Sequence, residues 1–403
     1  MGEQATSAGS GDRFLGDAAL RWARPAGFVG LVALVAAALT LTKGDEQAAT
    51  RFYHAYLVSF AFYLSLALGA LFFVLLQHLT RSGWSVVLRR LAECAAANML
   101  LLAVLAVPLV AGLHHLYHWS HAEAVAADQL LHGKQPYLNP PFFLGRLAAY
   151  FLVWILLARY FLRTSVRQDA SGDPALTVKM HRVSAPAMVL FGITTTFAAF
   201  DLLMSLDPHW YSTIFGVYYF SGAAVGFFAL LALMVVLVQR AGRLTSEITR
   251  EHYQDLGKLI FAFVVFWAYI AFSQYMLIWY ANIPEETVWY LRRQSGDWSA
   301  AGLALLFGHF VVPFLLLISR GPKRRPGVLA LAAVWVLAMH WLDMYWLVMP
   351  QAAASAKPML VDLLCLVGLG GVLTAATAWR LRRQALLPVR DPRLPESLAF
   401  ENV

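Results

Sequence analysis

Ten stretches of this chain are each apolar for about the twenty residues that a helix needs to cross a bilayer core of about 30 Å. They lie near residues 24–42, 53–78, 91–112, 141–162, 185–206, 212–239, 256–281, 299–319, 327–348 and 358–379. Soluble proteins are roughly 45–50% apolar and about 25% charged. Here 60% of the 403 residues are hydrophobic and only 13% charged, more apolar surface than water-facing cores can hide. Runs this long, without in–out alternation, exclude a β-barrel. The expected fold is an all-α polytopic membrane protein of about ten transmembrane helices. Pro25, Pro186 and Pro284 read as helix starts and stops, and Pro108 as a kink in the third span. The N-terminal stretch lacks a signal peptide's short apolar run and cleavage site, so the first run is expected to be retained as a span.

The loops orient the bundle. Of the 31 Lys and Arg, 22 fall in the two tails and in the loops after even-numbered spans, six in the loops after odd-numbered spans, and three within spans. Such a split predicts cytoplasmic termini. The formal charge of +8 then faces anionic headgroups and does not imply nucleic acid. The opposite loops are long and aromatic: HHLYHWSH, LDPHWYS and IPEETVWYLRRQSGDW. His114, His118, His121, His209, Trp210, Glu285 and Glu286 are the residues there expected to meet a partner. If helical, His114, His118 and His121 share a face at a metal-binding spacing. No acid or cysteine cluster accompanies them, so a hydrogen-bonded interface patch is the preferred reading.

An internal duplication is visible. Aligning Asp201 with Asp343 places Pro208 on Pro350, and RFYHAYLVSFAF at 51–62 resembles HWYSTIFGVYYF at 209–220. The expected organisation is an N-terminal tail (1–23), a flanking helix and loop (24–52), a four-helix bundle (53–206), a second bundle (207–350), a flanking helix (351–380) and a C-terminal tail (381–403). The copies run parallel, whereas many secondary transporters carry inverted repeats, although parallel ones occur.

Each charge embedded in hydrocarbon costs about 2.5–3.5 kcal/mol or more. Asp201 and Asp343 lie two turns before a helix-ending proline, and His340 shares a helical face with Asp343 at i, i+3. With His309 in mid-span, Arg146, Glu93 and Lys258, they form a candidate proton path. The alternatives are structural: Glu93 and Lys258 can snorkel to the headgroups, Arg146 can pair with an acid, and His309 and the His340–Asp343 pair can simply hold helices together. His309 and His340 lack the matched partners of a haem site. Cys94 and Cys365, far apart in apolar segments, exclude a disulfide framework, a thiolate-bound Fe–S cluster and a C-x-x-C-H haem site.

The segments TTTFAAFDLLMSLDPHWYSTIFGVYYFSGA, FSQYMLIWYANIPEET and MHWLDMYWLVMP closely resemble the F-subunit family of alternative complex III, the bacterial quinol:cytochrome c (or quinol:oxidase) oxidoreductase, within the wider NrfD/polysulfide-reductase-like group of membrane subunits. The likeness runs from about residue 50 to 380. It implies two adjacent four-helix bundles with two flanking helices. It implies as partners a C-type membrane subunit, a periplasmic Fe–S subunit, cytochrome c subunits, small membrane anchors and, in some assemblies, a terminal oxidase. Haem c and Fe–S clusters would sit in those partners and none in this chain. Quinone or quinol is a ligand that the wider group binds. The expected role is support of quinol oxidation with proton translocation, in the bacterial inner membrane. A quinone-binding anchor of another respiratory reductase and a stand-alone transporter are the alternatives.

Overall fold

The computed structural model describes residues 13–43 and 45–402; the first twelve residues of the N-terminal tail lie outside them. Ten helices among the described residues are long and apolar enough to span a membrane. They are α1 (Gly16–Leu41), α2 (Glu46–Leu79), α3 (Val86–Ala111), α4 (Pro140–Ser171), α5 (Ala175–Leu206), α6 (Phe215–Arg240), α7 (Arg250–Ala281), α8 (Asp297–Leu317), α9 (Pro326–Gln351) and α10 (Leu360–Arg382). Each covers the apolar run expected for it to within three residues at either end. Several are longer, because polar turns continue the helix beyond the hydrocarbon: α4 starts at an Asn139 cap and stops at Gly172 in the left-handed region.

Two prolines do not mark helix ends as expected. Pro25 and Pro186 lie inside their helices. A membrane helix tolerates a missing N–H because neighbouring helices and side chains satisfy the freed backbone. At Pro108 the expected break is present, with α3 interrupted at Ala106.

α2 and α6 form the centre. The apolar window of α2 is 94% buried, that of α1 only 17%. α2 packs on α3, α5, α9 and α10, and α6 on α5, α7 and α9; the two also pack on each other. Glycine permits the central contact: a Cβ on Gly69 would stand 2.2 Å from the Ala223 carbonyl oxygen and 2.4 Å from Phe227 Cβ. α1 and α10 pair outside this core through Gly30 and Gly371, where a Cβ would meet backbone at 2.7 and 2.4 Å. Such small-residue seams are how membrane helices approach closely.

Ten spans among the described residues put residues 13 and 402 on one side, called here the terminal face; the aromatic loops form the loop face. On the terminal face the C-terminal tail returns across the molecule. Leu386 N–H donates to Arg13 O at 2.7 Å, Asp391 pairs with Arg89, Ser397 Oγ donates to Trp84 O at 2.6 Å, and Asn402 accepts from Lys258 at 2.8 Å.

Candidate functional site

The two aligned acids lie in different surroundings. Asp201, buried on α5, accepts two hydrogen bonds from Arg146 of α4 at 2.8 and 2.9 Å and a third from Tyr150 at 2.7 Å. The Arg146 guanidinium is stacked over Tyr137 (3.8 Å) and Phe142 (4.4 Å) and donates to Tyr137 O. This is a bidentate pair clamped by rings, and its charge is neutralised in place. Asp343, fully buried on α9, has no cation partner among the described residues. It accepts from the Tyr218 hydroxyl of α6 and from Trp267 Nε1 of α7 at 3.1 Å. Neutral donors leave a proton on or off this carboxylate without breaking an ion pair.

His340, one turn earlier on α9, does not bond directly to Asp343. Its Nε2 lies 2.7 Å from Ser65 Oγ of α2, and Ser65 Oγ lies 2.6 Å from Phe62 O. A carbonyl can only accept, so the hydroxyl proton goes to Phe62 O and His340 Nε2–H must donate to Ser65. That leaves His340 Nδ1 a bare lone pair with no partner. Room for the ring comes from α6: a Cβ on Gly226 would stand 2.7 Å from His340 Cδ2. A Cβ on Gly222 would stand 3.2 Å from Nδ1 and 3.8 Å from Asp343 Oδ2. The side chain missing at Gly222 therefore leaves a gap that both functional atoms border.

His309 approaches from α8, where Leu305–Val311 winds as a π-helix. Such bulges re-aim a side chain and recur at functional sites. Trp335 Nε1 donates to Gly308 O at 2.7 Å within this stretch. The His309 ring lies 4.1 Å from that of Trp267 and 6.2 Å from that of His340. It is fully buried, and neither nitrogen has a partner among the described residues. Both His309 nitrogens and His340 Nδ1 are thus buried without a hydrogen-bond partner among the described residues, an uncommon state, because buried polar groups are almost always bonded.

From Asp343 the polar groups continue toward the loop face. Tyr290, in the short helix Pro284–Arg293, lies within the field of Asp343. Its hydroxyl accepts from Gln274 at 3.2 Å, and Ser212 donates to Gln274 at 2.9 Å. Beside it, buried Arg293 stacks on Trp289 at 3.4 Å and donates to the carbonyls of Trp289, Trp346 and Leu347. Burial, with neighbouring Arg292 adding to it, pushes its guanidinium down to about 9. Toward the terminal face, Lys323 is fourteen residues beyond His309, in a separate short turn after the helix breaks at residues 318–319.

The remaining expected residues separate. Glu93 and Lys258 do not occupy equivalent settings. Glu93 is buried between Arg90 (3.0 Å) and Arg89 (3.4 Å) and does not snorkel, because Arg90 also binds Asp169 and Arg89 binds the tail's Asp391. Lys258 does reach the surface, pairing with Asp255 at 2.7 Å. His114, His118 and His121 are not on one helical face: the helix stops at Leu116, and a 3₁₀ turn follows. His121 Nε2 instead bonds His114 O at 2.8 Å, and no group of three metal-capable residues forms among the described residues. His209 is exposed and binds Asp128 at 2.6 Å, which holds that carboxyl below its usual range. Trp210, expected at a surface, is buried, stacked on Trp289 at 4.4 Å; a flat ring excludes water best against another ring. Glu285 is exposed and Glu286 half-buried in the first turn of the short helix, where negative charge suits the helix dipole.

Tyr218, Trp267 and Ser65 were not singled out from the sequence; the Gly222–Gly226 spacing opposite a polar helix is the one local hint. Asp362, buried in the first turn of α10 and paired with Arg51, was also missed. A comparison with protein-family models and with curated proteins finds no match.

Proposed function

We propose that this chain is an integral membrane subunit of a respiratory quinol-oxidising complex, without a redox centre of its own. In this reading its second bundle moves protons between Asp343 and the loop face. The observation that carries the proton role is Asp343 itself: wholly buried and held, among the described residues, by the neutral donors Tyr218 and Trp267, with His340 Nδ1 across the Gly222 gap and the unpartnered His309 ring against Trp267. Asp201, clamped by Arg146, holds helices together. The assembly role rests on the resemblance of the aromatic loops. It is supported by the exposed apolar side chains at the loop-face end of α7 and after it, among them Trp279, Tyr280 and Ile283. A continuous apolar surface of this kind calls for a protein or lipid partner.

Asp343→Asn keeps the shape and the acceptor for Tyr218 while removing the titrating group. The variant complex should assemble and transfer electrons with a reduced proton-to-electron ratio in reconstituted vesicles. An unchanged ratio in the assembled variant overturns the relay. Purification of the tagged chain in mild detergent tests the assembly role: haem-containing partners should accompany it, and isolation as a lone protein rejects that role.

Orientation is tested separately. Cytoplasmic termini place the exposed Leu130 outside. Both native cysteines are buried, so Leu130→Cys should be the main site reached by a membrane-impermeant thiol reagent added to intact cells. Labelling only after the cytoplasmic side is opened would reverse the topology.

A further inference from the structure

Between the α1–α10 pair and the core helices α2, α3 and α6 lies a cavity of about 230 Å³. At one end it is lined by Leu15 and Trp22, and at the other by Tyr63, Leu66, Leu102 and Gly370. Trp22, Leu237 and Thr374 line it and are exposed as well, so it opens sideways toward the surrounding bilayer. We infer that this cavity holds the acyl chain of a phospholipid from the terminal-face leaflet.

Its length favours that occupant. On α10 the lining runs from Gly370 to Leu381, eleven residues or about 16 Å of helix, which is half of a hydrocarbon core of about 30 Å. The cavity thus extends from the headgroup level to the membrane middle, the reach of one leaflet. Its chemistry favours hydrocarbon. The polar side chains Tyr63, Asn98 and Thr377 are already engaged: Tyr63 donates to Leu366 O at 3.0 Å, Asn98 to Thr377 Oγ1 at 2.7 Å, Thr377 to Leu373 O at 2.9 Å, and Arg380 donates to Asn98 Oδ1. The other polar groups of the lining, the Thr374 hydroxyl and the Trp22 indole, belong to residues exposed at its open side. At the mouth, Arg21 and Arg24 are exposed on α1 beside Trp22, an arrangement that suits a phosphate headgroup above a buried chain. An apolar void of this size is also larger than one that accepts benzene.

The test is photo-crosslinking of the full chain in vesicles of phosphatidylethanolamine and phosphatidylglycerol carrying a diazirine at the end of one acyl chain. Adducts should map to the deep-end residues Tyr63, Leu66 and Leu102, alongside those on the lipid-facing Phe28 and Leu31. Ala67→Phe and, separately, Ala95→Phe fill the cavity and should lose the deep adducts while keeping those on α1. Three results would overturn the inference: wild-type adducts confined to exposed surfaces, deep adducts that survive in a filled variant that folds, or deep labelling by a diazirine-bearing isoprenoid chain that excess phospholipid does not suppress.

Discussion

Arg146→Ala is expected to destabilise the protein by about 3–5 kcal/mol, the usual consequence of stranding one member of a buried ion pair. The stranded group would be Asp201, which is 1% exposed and would keep the Tyr150 hydroxyl as a neutral donor but no cation among the described residues. The readout is thermal unfolding in detergent, with loss of monodisperse protein as the extreme result. Removing both charges, as Arg146→Met with Asp201→Asn, should recover most of the loss, since a neutral buried pair has far less to desolvate. If the double variant is as damaged as the single one, the stacking of Arg146 on Tyr137 and Phe142, rather than the charge, holds this end of the first bundle.

Gly69→Val should be nearly as damaging. The added atoms would meet the Ala223 carbonyl and Phe227 Cβ within 2.4 Å, and these belong to the most deeply packed pair of helices. Neither backbone can retreat without opening contacts along the whole seam. The expected cost therefore exceeds the usual overpacking penalty of about 1–3 kcal/mol, read as a fall in thermal stability and yield. Gly226→Ala is a gentler control, because the obstructing atoms are the His340 ring and the Leu66 side chain, which can rotate. A Gly69→Val protein as stable as wild type would mean that α2 and α6 slide freely past one another.

The ten spans and the buried acids were legible in the sequence, because each depends on polarity along a single helix. What surrounds each acid was not. The alignment of Asp201 with Asp343 suggested equal roles, yet one meets Arg146 and the other Tyr218 and Trp267, choices made by neighbours on other helices. Glu93 and Lys258 looked alike for the same reason; the difference comes from Arg89 and Arg90, which enclose Glu93 and are held in turn by Asp391 and Asp169 far along the chain, whereas Lys258 meets Asp255 and Asn402 at the surface. The π-helical stretch that turns His309 inward leaves no periodic mark, since a bulge of one residue is lost among uniformly apolar neighbours.

The returning tail acts as a clasp between helices that no loop joins. Asp391 binds Arg89, the Ser397 hydroxyl binds the Trp84 carbonyl and Asn402 binds Lys258, so residues 391–402 tie the start of α3 to the start of α7 across the terminal face. Displacing this segment would strip Arg89 of its tail acid and untie those two helix ends together, so a local change at one edge of the molecule would be felt by helices far apart in sequence.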